Sequence, residues 1–358
     1  MSNPPATPDR SPVVWDENGA PRSPQFDDVY YSSAGGLAEA RSVFLDGCDL
    51  PRAWVGRSGF VVGELGFGTG LNILALIDLW RRTRPAHDAH LHVFSVEAFP
   101  MPAGDAGRAL APWPELADLA ARLLAQWPRR ARGFHRLAFA DFGVTLDMAV
   151  MDAAEALEAW TAQADAWFLD GFSPSRNPGM WTPRVLAGVA RRSAPGARLA
   201  TFTVAGAVRR GLEAQGFQVE KRPGFAAKRE RLEARLPAVA QGPERPKPRV
   251  AIVGGGIAGA SLARAFRALG VHPRLIETSA AGAGASGNAA ALAMPRLDAG
   301  DGPIGALYAQ ALARAADLYD QTPGAVIAKG ADQIEVGPKD PSRFDRIAQS
   351  DLFEAGAV

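Results

Sequence analysis

Apolar residues along this chain fall in short blocks, and the blocks are of two kinds. Runs rich in β-branched and aromatic residues occupy 91–96 (LHVFSV), 144–151 (VTLDMAVM), 166–169 (AWFL) and 198–204 (RLATFTV). A further apolar run opens the segment VVGELGFGTGLN at 61–72. Stretches rich in Ala, Leu and Arg, of helical character, lie between them. Alternating β and α blocks predict an α/β fold, a doubly wound parallel sheet of Rossmann-like type. Residues 26–54 read as a mixed strand and helix segment leading into the first turn, and 216–234 as a closing hairpin.

The pattern also divides the chain. Residues 1–22 begin MSNPPATPDRSP, without an apolar core, and read as a disordered tail rather than a signal peptide. Residues 23–234 hold the first α/β unit. Residues 235–248 are rich in proline and charge with no apolar period, which is the composition of a linker. At 249–278 a second βαβ unit starts, RVAIVGGGIAGASLARAFRALGVHPRLIET, and residues 249–358 form the last segment.

Composition narrows the class. A single cysteine, Cys48, excludes an internal disulfide and a cysteine-built zinc site, and points to a reducing, cytoplasmic compartment. No metal is expected. No apolar run approaches the ~20 residues that span a bilayer. The net charge of +1 gives no global bias towards nucleic acid. Basic residues nevertheless cluster at Arg81, Arg82 and Arg84, at Arg129, Arg130, Arg132 and Arg136, and at Lys221, Arg222, Lys228, Arg229 and Arg231.

Chemistry enters at the ends of the predicted strands. Gly66, Gly68 and Gly70 close a GxGxG turn, where a backbone without Cβ atoms can approach a nucleoside, the form common among S-adenosylmethionine enzymes. Glu64 and Asn72 flank the turn and are placed with it as cofactor-binding. Glu97 ends the second strand, where a carboxylate can accept both ribose hydroxyls. Asp152 ends the third and is placed to meet an adenine amino group, although an acid there can equally cap a helix. The fourth strand runs into DAWFLDGFSPSRNPGMW at 165–181. This resembles the short acid or amide, then proline and an aromatic, that amino methyltransferases of this fold commonly carry just past strand four. Asp170 would orient the amine and take its proton, while Phe172 and Pro174 wall the pocket.

These segments carry a resemblance. FDDVYYS, VFLDG, ELGFGTGLN, FSVEAFP, DAWFLDGFSPSRNPGMW, LATFTVAGAVRRGL and GFAAKRE follow one another in order. Together they resemble the methyltransferase domain of the bifunctional tRNA 5-methylaminomethyl-2-thiouridine biosynthesis family over roughly residues 13–234. The resemblance implies a class I methyltransferase that uses S-adenosylmethionine to methylate the amine of 5-aminomethyl-uridine at the tRNA wobble position. It implies an anticodon stem-loop as partner. Arg176, Asn177, Lys228 and Arg229 are candidate phosphate contacts, and Trp181 either stacks on a flipped-out base or belongs to the core. The family has glycine where this chain has Ala226. That exchange is tolerated unless the residue has positive φ.

In the second unit Gly254, Gly256 and Gly259 form a GxGxxG turn, and Glu277 stands where a second strand delivers a carboxylate to a ribose. The stretch GAGASGNAAALAMPRLDAG at 282–300 resembles the FAD-dependent oxidase domain of the same family, which implies FAD and removal of a carboxymethyl group from the wobble base. The chain from Arg249 onward is far shorter than such an oxidase. The expectation is therefore an incomplete FAD-binding βαβ unit, with weak or no FAD binding and no oxidase activity. Two other readings stay open, a methyltransferase of small free amines with a degenerate nucleotide-binding module, and an inactive tRNA-binding scaffold. The oligomeric state is not legible.

Overall fold

The computed structural model describes residues 13–17, 19–31, 35–226, 228–238, 247–297 and 302–354. Three short strands come first, β1 (Val14–Trp15), β2 (Pro21–Ser23) and β3 (Asp28–Val29). Helix α1 (Gly36–Ala40) follows and runs on as a π-helical turn over Arg41–Asp46. The main α/β unit contains β4 (Gly59–Leu65), α2 (Leu71–Thr83), β5 (His90–Val96), α3 (Ala103–Leu110) and α4 (Ala117–Leu124). It continues through β6 (Gly133–Phe139), β7 (Val144–Val150), α5 (Ala153–Ala159), β8 (Ala164–Leu169) and α6 (Pro183–Arg191). It closes with β9 (Ser193–Thr201), α7 (Gly206–Ala214), β10 (Gln218–Pro223) and β11 (Glu230–Arg235).

Eight strands form one sheet in the order β10-β11-β9-β8-β4-β5-β7-β6. The five central strands, β9-β8-β4-β5-β7, run parallel. Their apolar runs are nearly continuous because helices cover both faces. On one face α2, α4 and the Arg41–Asp46 turn bury Ile73, Ile77, Trp54 and Trp80. On the other, α5, α6 and α7 bury Leu157, Val185, Leu212 and Trp167. Each fully buried aliphatic side chain contributes about 1.5–3 kcal/mol, so these two layers, rather than the sheet's hydrogen bonds, hold the strand ends in register.

The sheet is mixed, with a parallel centre and antiparallel edges. β6 runs antiparallel to β7 at one edge, and the β10–β11 hairpin lies antiparallel to β9 at the other. β6 was missed because an edge strand alternates buried and half-buried residues and carries polar His135 and Arg136. The expected tail is also too long. Val13 is buried, β1 and β2 pair, and the Arg108 guanidinium lies 3.9 Å over the Trp15 ring. Residues 1–12 lie outside the described residues. The expected linker begins later than residue 235, since Leu236 N–H donates to the Ala197 carbonyl at 2.9 Å and Pro237 O accepts from Gly196 at 3.2 Å. Residues 239–246 are not described.

Beyond them, β12 (Ala251–Val253), α8 (Ile257–Ala268) and β13 (Arg274–Ile276) form a two-stranded parallel βαβ unit. Helices α9 (Pro303–Asp320) and α10 (Asp340–Ala348) follow. α9 lies along the β6 edge. Gln310 accepts from Phe134 N–H at 3.1 Å, Arg314 donates to Arg136 O at 2.6 Å, and Asp317 pairs with Arg129 at 2.7 Å. Among the described residues no helix is long and apolar enough to cross a membrane.

Candidate active site

The strand order reverses direction between β4 and β8. The chain goes from β4 outward to β5 and β7, then returns to the other side of β4. Such a switch point opens a crevice at the carboxyl ends of the strands. Register fills it with chemistry. Leu65 pairs with Val96 on one side and with Leu169 on the other, so the next residues out, Gly66, Glu97 and Asp170, emerge side by side. A cleft of about 490 Å³ lies over them, lined also by Gly68, Asn72, Asp152 and Phe172.

The β4–α2 turn is built for close approach. Gly66 has φ +92°, and a Cβ there would sit 2.5 Å from the Asp170 carbonyl oxygen. Gly68, at φ +54°, donates its N–H to Glu97 Oε2 at 3.0 Å. Gly70 is the left-handed N-cap of α2 and is not among the lining residues. The other Glu97 oxygen accepts from Phe99 N–H at 3.0 Å. Burial raises the Glu97 pKa against these backbone bonds. Asp152 caps α5, with Oδ1 accepting from Ala154 N–H at 2.8 Å, and also lines the cleft. Capping and lining therefore coincide in one side chain.

Asp170 is held at both oxygens. Oδ1 accepts from Gly171 N–H at 2.9 Å and Oδ2 from the Asn72 side-chain amide at 2.7 Å. Burial pushes its pKa up to about 6, against those two bonds and the nearby Lys228. Glu64 differs from the expectation. It is fully buried in β4 under the floor of the cleft and is not among the lining residues. Desolvation lifts its pKa to about 8, opposed by bonds from the Ser95 hydroxyl and from Asn72 at 3.2 Å.

The loop after β8 gives its residues separate positions. Phe172 stacks on Phe26 at 4.8 Å and meets Tyr30 edge-on at 5.2 Å. Pro174, grouped with it from the sequence, is half-buried and lies outside the lining. Asn177 lines the cleft, while exposed Arg176 pairs with Asp27 at 2.7 Å. The half-buried Trp181 indole donates to Phe172 O at 3.0 Å and packs against the α5–α6 core. Lys228 turns towards the cleft, 2.7 Å from Glu39 Oε1 and 4.3 Å above the Phe202 ring. Arg229 is exposed.

Sequence reasoning missed the roof. Phe26, Asp28, Tyr30 and Glu39 all line the cleft, and Asp28 Oδ2 accepts from Ser173 N–H at 2.9 Å, fastening the N-terminal segment to the β8 loop. The signal was the dense acidic and aromatic stretch FDDVYY, far in sequence from any strand end.

In the second unit Gly254 has φ +103°, and a Cβ on Gly259 would lie 1.9 Å from the Gly254 carbonyl oxygen. Glu277 accepts from Gly255 N–H at 2.6 Å and Thr278 N–H at 2.7 Å, and these backbone donors bring its pKa down to about 2. Gly256 opens α8 as its N-cap. The neighbouring strands stay open, with Val253 84% and Ile276 47% exposed.

Comparison with known proteins gives two family matches. A family described as S-adenosyl-L-methionine-dependent methyltransferase matches residues 114–237, and one described as FAD dependent oxidoreductase matches residues 249–347. The tRNA 5-methylaminomethyl-2-thiouridine biosynthesis bifunctional protein MnmC of Caulobacter sp. (strain K31) is 58% identical, covering 100% of this chain and 59% of that protein. Its counterpart in Caulobacter vibrioides is 58% identical, covering 97% and 58%. Among solved structures, MNMC2 from Aquifex aeolicus aligns with TM-score 0.49 at 22% identity, over 65% of this chain and 72% of that one. The chain thus spans about three fifths of the length of these curated relatives.

Proposed function

This chain belongs to the family of the bifunctional tRNA 5-methylaminomethyl-2-thiouridine biosynthesis proteins over the length it spans, and from that premise we propose that residues 23–234 methylate the amine of 5-aminomethyl-uridine in tRNA. The observation that carries the reading is Asp170. It is a clamped carboxylate at the switch point, beside a glycine cradle and a ribose-accepting acid.

The residues present fit S-adenosylmethionine. Gly66 and Gly68 line the cleft with backbone and no side chain, and Glu97 retains lone pairs beyond the two that its backbone donors use. Gly66 and Gly68 would hold the nucleoside by backbone approach, Glu97 the ribose and Asp152 the adenine edge. Bound there, S-adenosylmethionine supplies an electrophilic methyl group. Every other role falls to the chain. Asp170, with its pKa near 6, is ionised at neutral pH. It would accept a hydrogen bond from the neutral amine, aim the nitrogen lone pair into the cleft, and take the proton released as the methyl group passes from sulfur to nitrogen, the S–C bond breaking as the N–C bond forms. Phe172, stacked on Phe26, walls the cleft against water.

For tRNA, exposed Arg229 and Arg176 on the β8 loop are the proposed phosphate contacts. Lys228 serves the cleft instead, because it lines the cleft beside Glu39 and neither arginine does. Contacts to phosphates would give binding a steep salt dependence. In residues 249–354 the glycine turn and Glu277 fit the adenosine end of FAD, and no redox step is assigned to them.

Methyl transfer from labelled S-adenosylmethionine to tRNA bearing 5-aminomethyl-uridine tests the reading, with carboxymethylated tRNA and small free amines in parallel. Label in the aminomethyl tRNA alone supports it. Label in a free amine but in neither tRNA overturns the choice of substrate.

A further inference from the structure

We propose that Asn72 is the positioning residue for Asp170: its side-chain amide, shared between Asp170 and buried Glu64, fixes the carboxylate that faces the cleft. The inference rests on the reading of Asp170 as the group that receives the amine, and it departs from the expectation that Asn72 binds cofactor.

A carboxamide NH2 has two hydrogens to give. Asn72 Nδ2 lies 2.7 Å from Asp170 Oδ2 and 3.2 Å from Glu64 Oε1, so both hydrogens are spent inside the protein. The amide cannot be reversed without turning its oxygen on the Asp170 carboxylate. Three elements meet in this contact. Asn72 sits in the first turn of α2, aimed by the left-handed Gly70 cap, while Glu64 belongs to β4 and Asp170 leaves β8. The Ser95 hydroxyl on β5 holds the far oxygen of Glu64. With Oδ1 on Gly171 and Oδ2 on Asn72, the Asp170 carboxylate is fixed about its last torsion.

Glu64 is suited to this duty. Its burial keeps it mainly protonated at neutral pH, so Asn72 bridges one anion and one neutral acid. Two facing anions would instead repel and lift the Asp170 pKa further.

The test titrates Asp170 in the whole 358-residue chain by carboxyl 13C NMR, with Asp170→Asn for assignment, in wild type, Asn72→Ala and Asn72→Ser. Calorimetry measures S-adenosylmethionine affinity, and steady-state kinetics separates kcat from KM. Loss of the amide removes a bond to the charged form, so the Asp170 titration should move up by about one pH unit in Asn72→Ala. The kcat should fall ~10–100-fold from misaimed geometry. KM for tRNA and cofactor affinity should change by less than about threefold. Asn72→Ser, which returns one donor, should recover part of both losses, and it also serves should the alanine variant fold poorly. An unmoved Asp170 titration, or cofactor affinity falling as steeply as kcat, overturns the proposal. The titration needs no turnover, so it decides the role of Asn72 even if the tRNA assay fails.

Discussion

The Lys228 ammonium lies 2.7 Å from Glu39 Oε1, joining the β10–β11 turn to helix α1 across the mouth of the cleft. The two charges act on Asp170 in opposite senses, Lys228 lowering its pKa and Glu39 raising it. Removing either should therefore move the pH profile in a defined direction. Lys228→Met should shift the acid limb of kcat/KM upward, losing more activity at pH 6 than at pH 8. Glu39→Gln should shift it downward. Full pH–rate profiles of the two variants check this, and shifts of the same sign would refute the arrangement.

Asp170→Asn keeps the shape and removes the base. Activity should fall by about 10²–10⁴-fold, the usual worth of a positioned acid–base group. Cofactor affinity by calorimetry should stay close to wild type, because the cradle is formed by the glycine turn and Glu97.

Glu64 links stability to pH. Its folded pKa, about 8, is raised above the ordinary carboxylate value. Its contribution is thus fully present below the unfolded pKa and is lost as pH rises through about 8. Glu64→Gln carries no such charge. Between pH 5 and pH 9 it should gain on wild type by ~2 kcal/mol or more, since each pH unit separating the folded and unfolded titrations is worth about 1.36 kcal/mol. Denaturant melts at both pH values measure the difference. A constant gap would show that Glu64 is ionised without penalty.

Ala226 has φ +49°, the condition under which its methyl group was expected to matter. An alanine in the left-handed region costs about 1–2 kcal/mol, while glycine returns about 0.4–1 kcal/mol of that through unfolded-state entropy. Ala226→Gly should stabilise the chain by up to ~1 kcal/mol, seen as a small rise in Tm. A fall would place the strain elsewhere.

Much of the fold was legible because burial imposes sequence periods that survive without a structure. Parallel strands covered on both faces read as continuous apolar runs, so 91–96, 144–151 and 166–169 could be found directly. The closing hairpin was legible too, and the structure sets it at 218–235. β6 escaped, since an edge strand packs one face and shows no such run. The Arg136–Asp147 pair at 2.6 Å, formed across β6 and β7, was invisible for the same reason.

By itself the sequence determined the residue types at the strand ends. Glycines that must approach a ligand and acids that follow strands are local requirements, written in adjacent positions. What only the tertiary structure decided is which of these groups share a site. Strand register set Gly66, Glu97 and Asp170 side by side. Burial sent Glu64 beneath the floor, and the N-terminal segment brought Phe26 and Asp28 over it as a roof. The physical reason is that contacts such as Asn72 to Asp170 or Lys228 to Glu39 span 98 and 189 residues of chain. Closing such distances depends on packing the whole core, which no local pattern encodes.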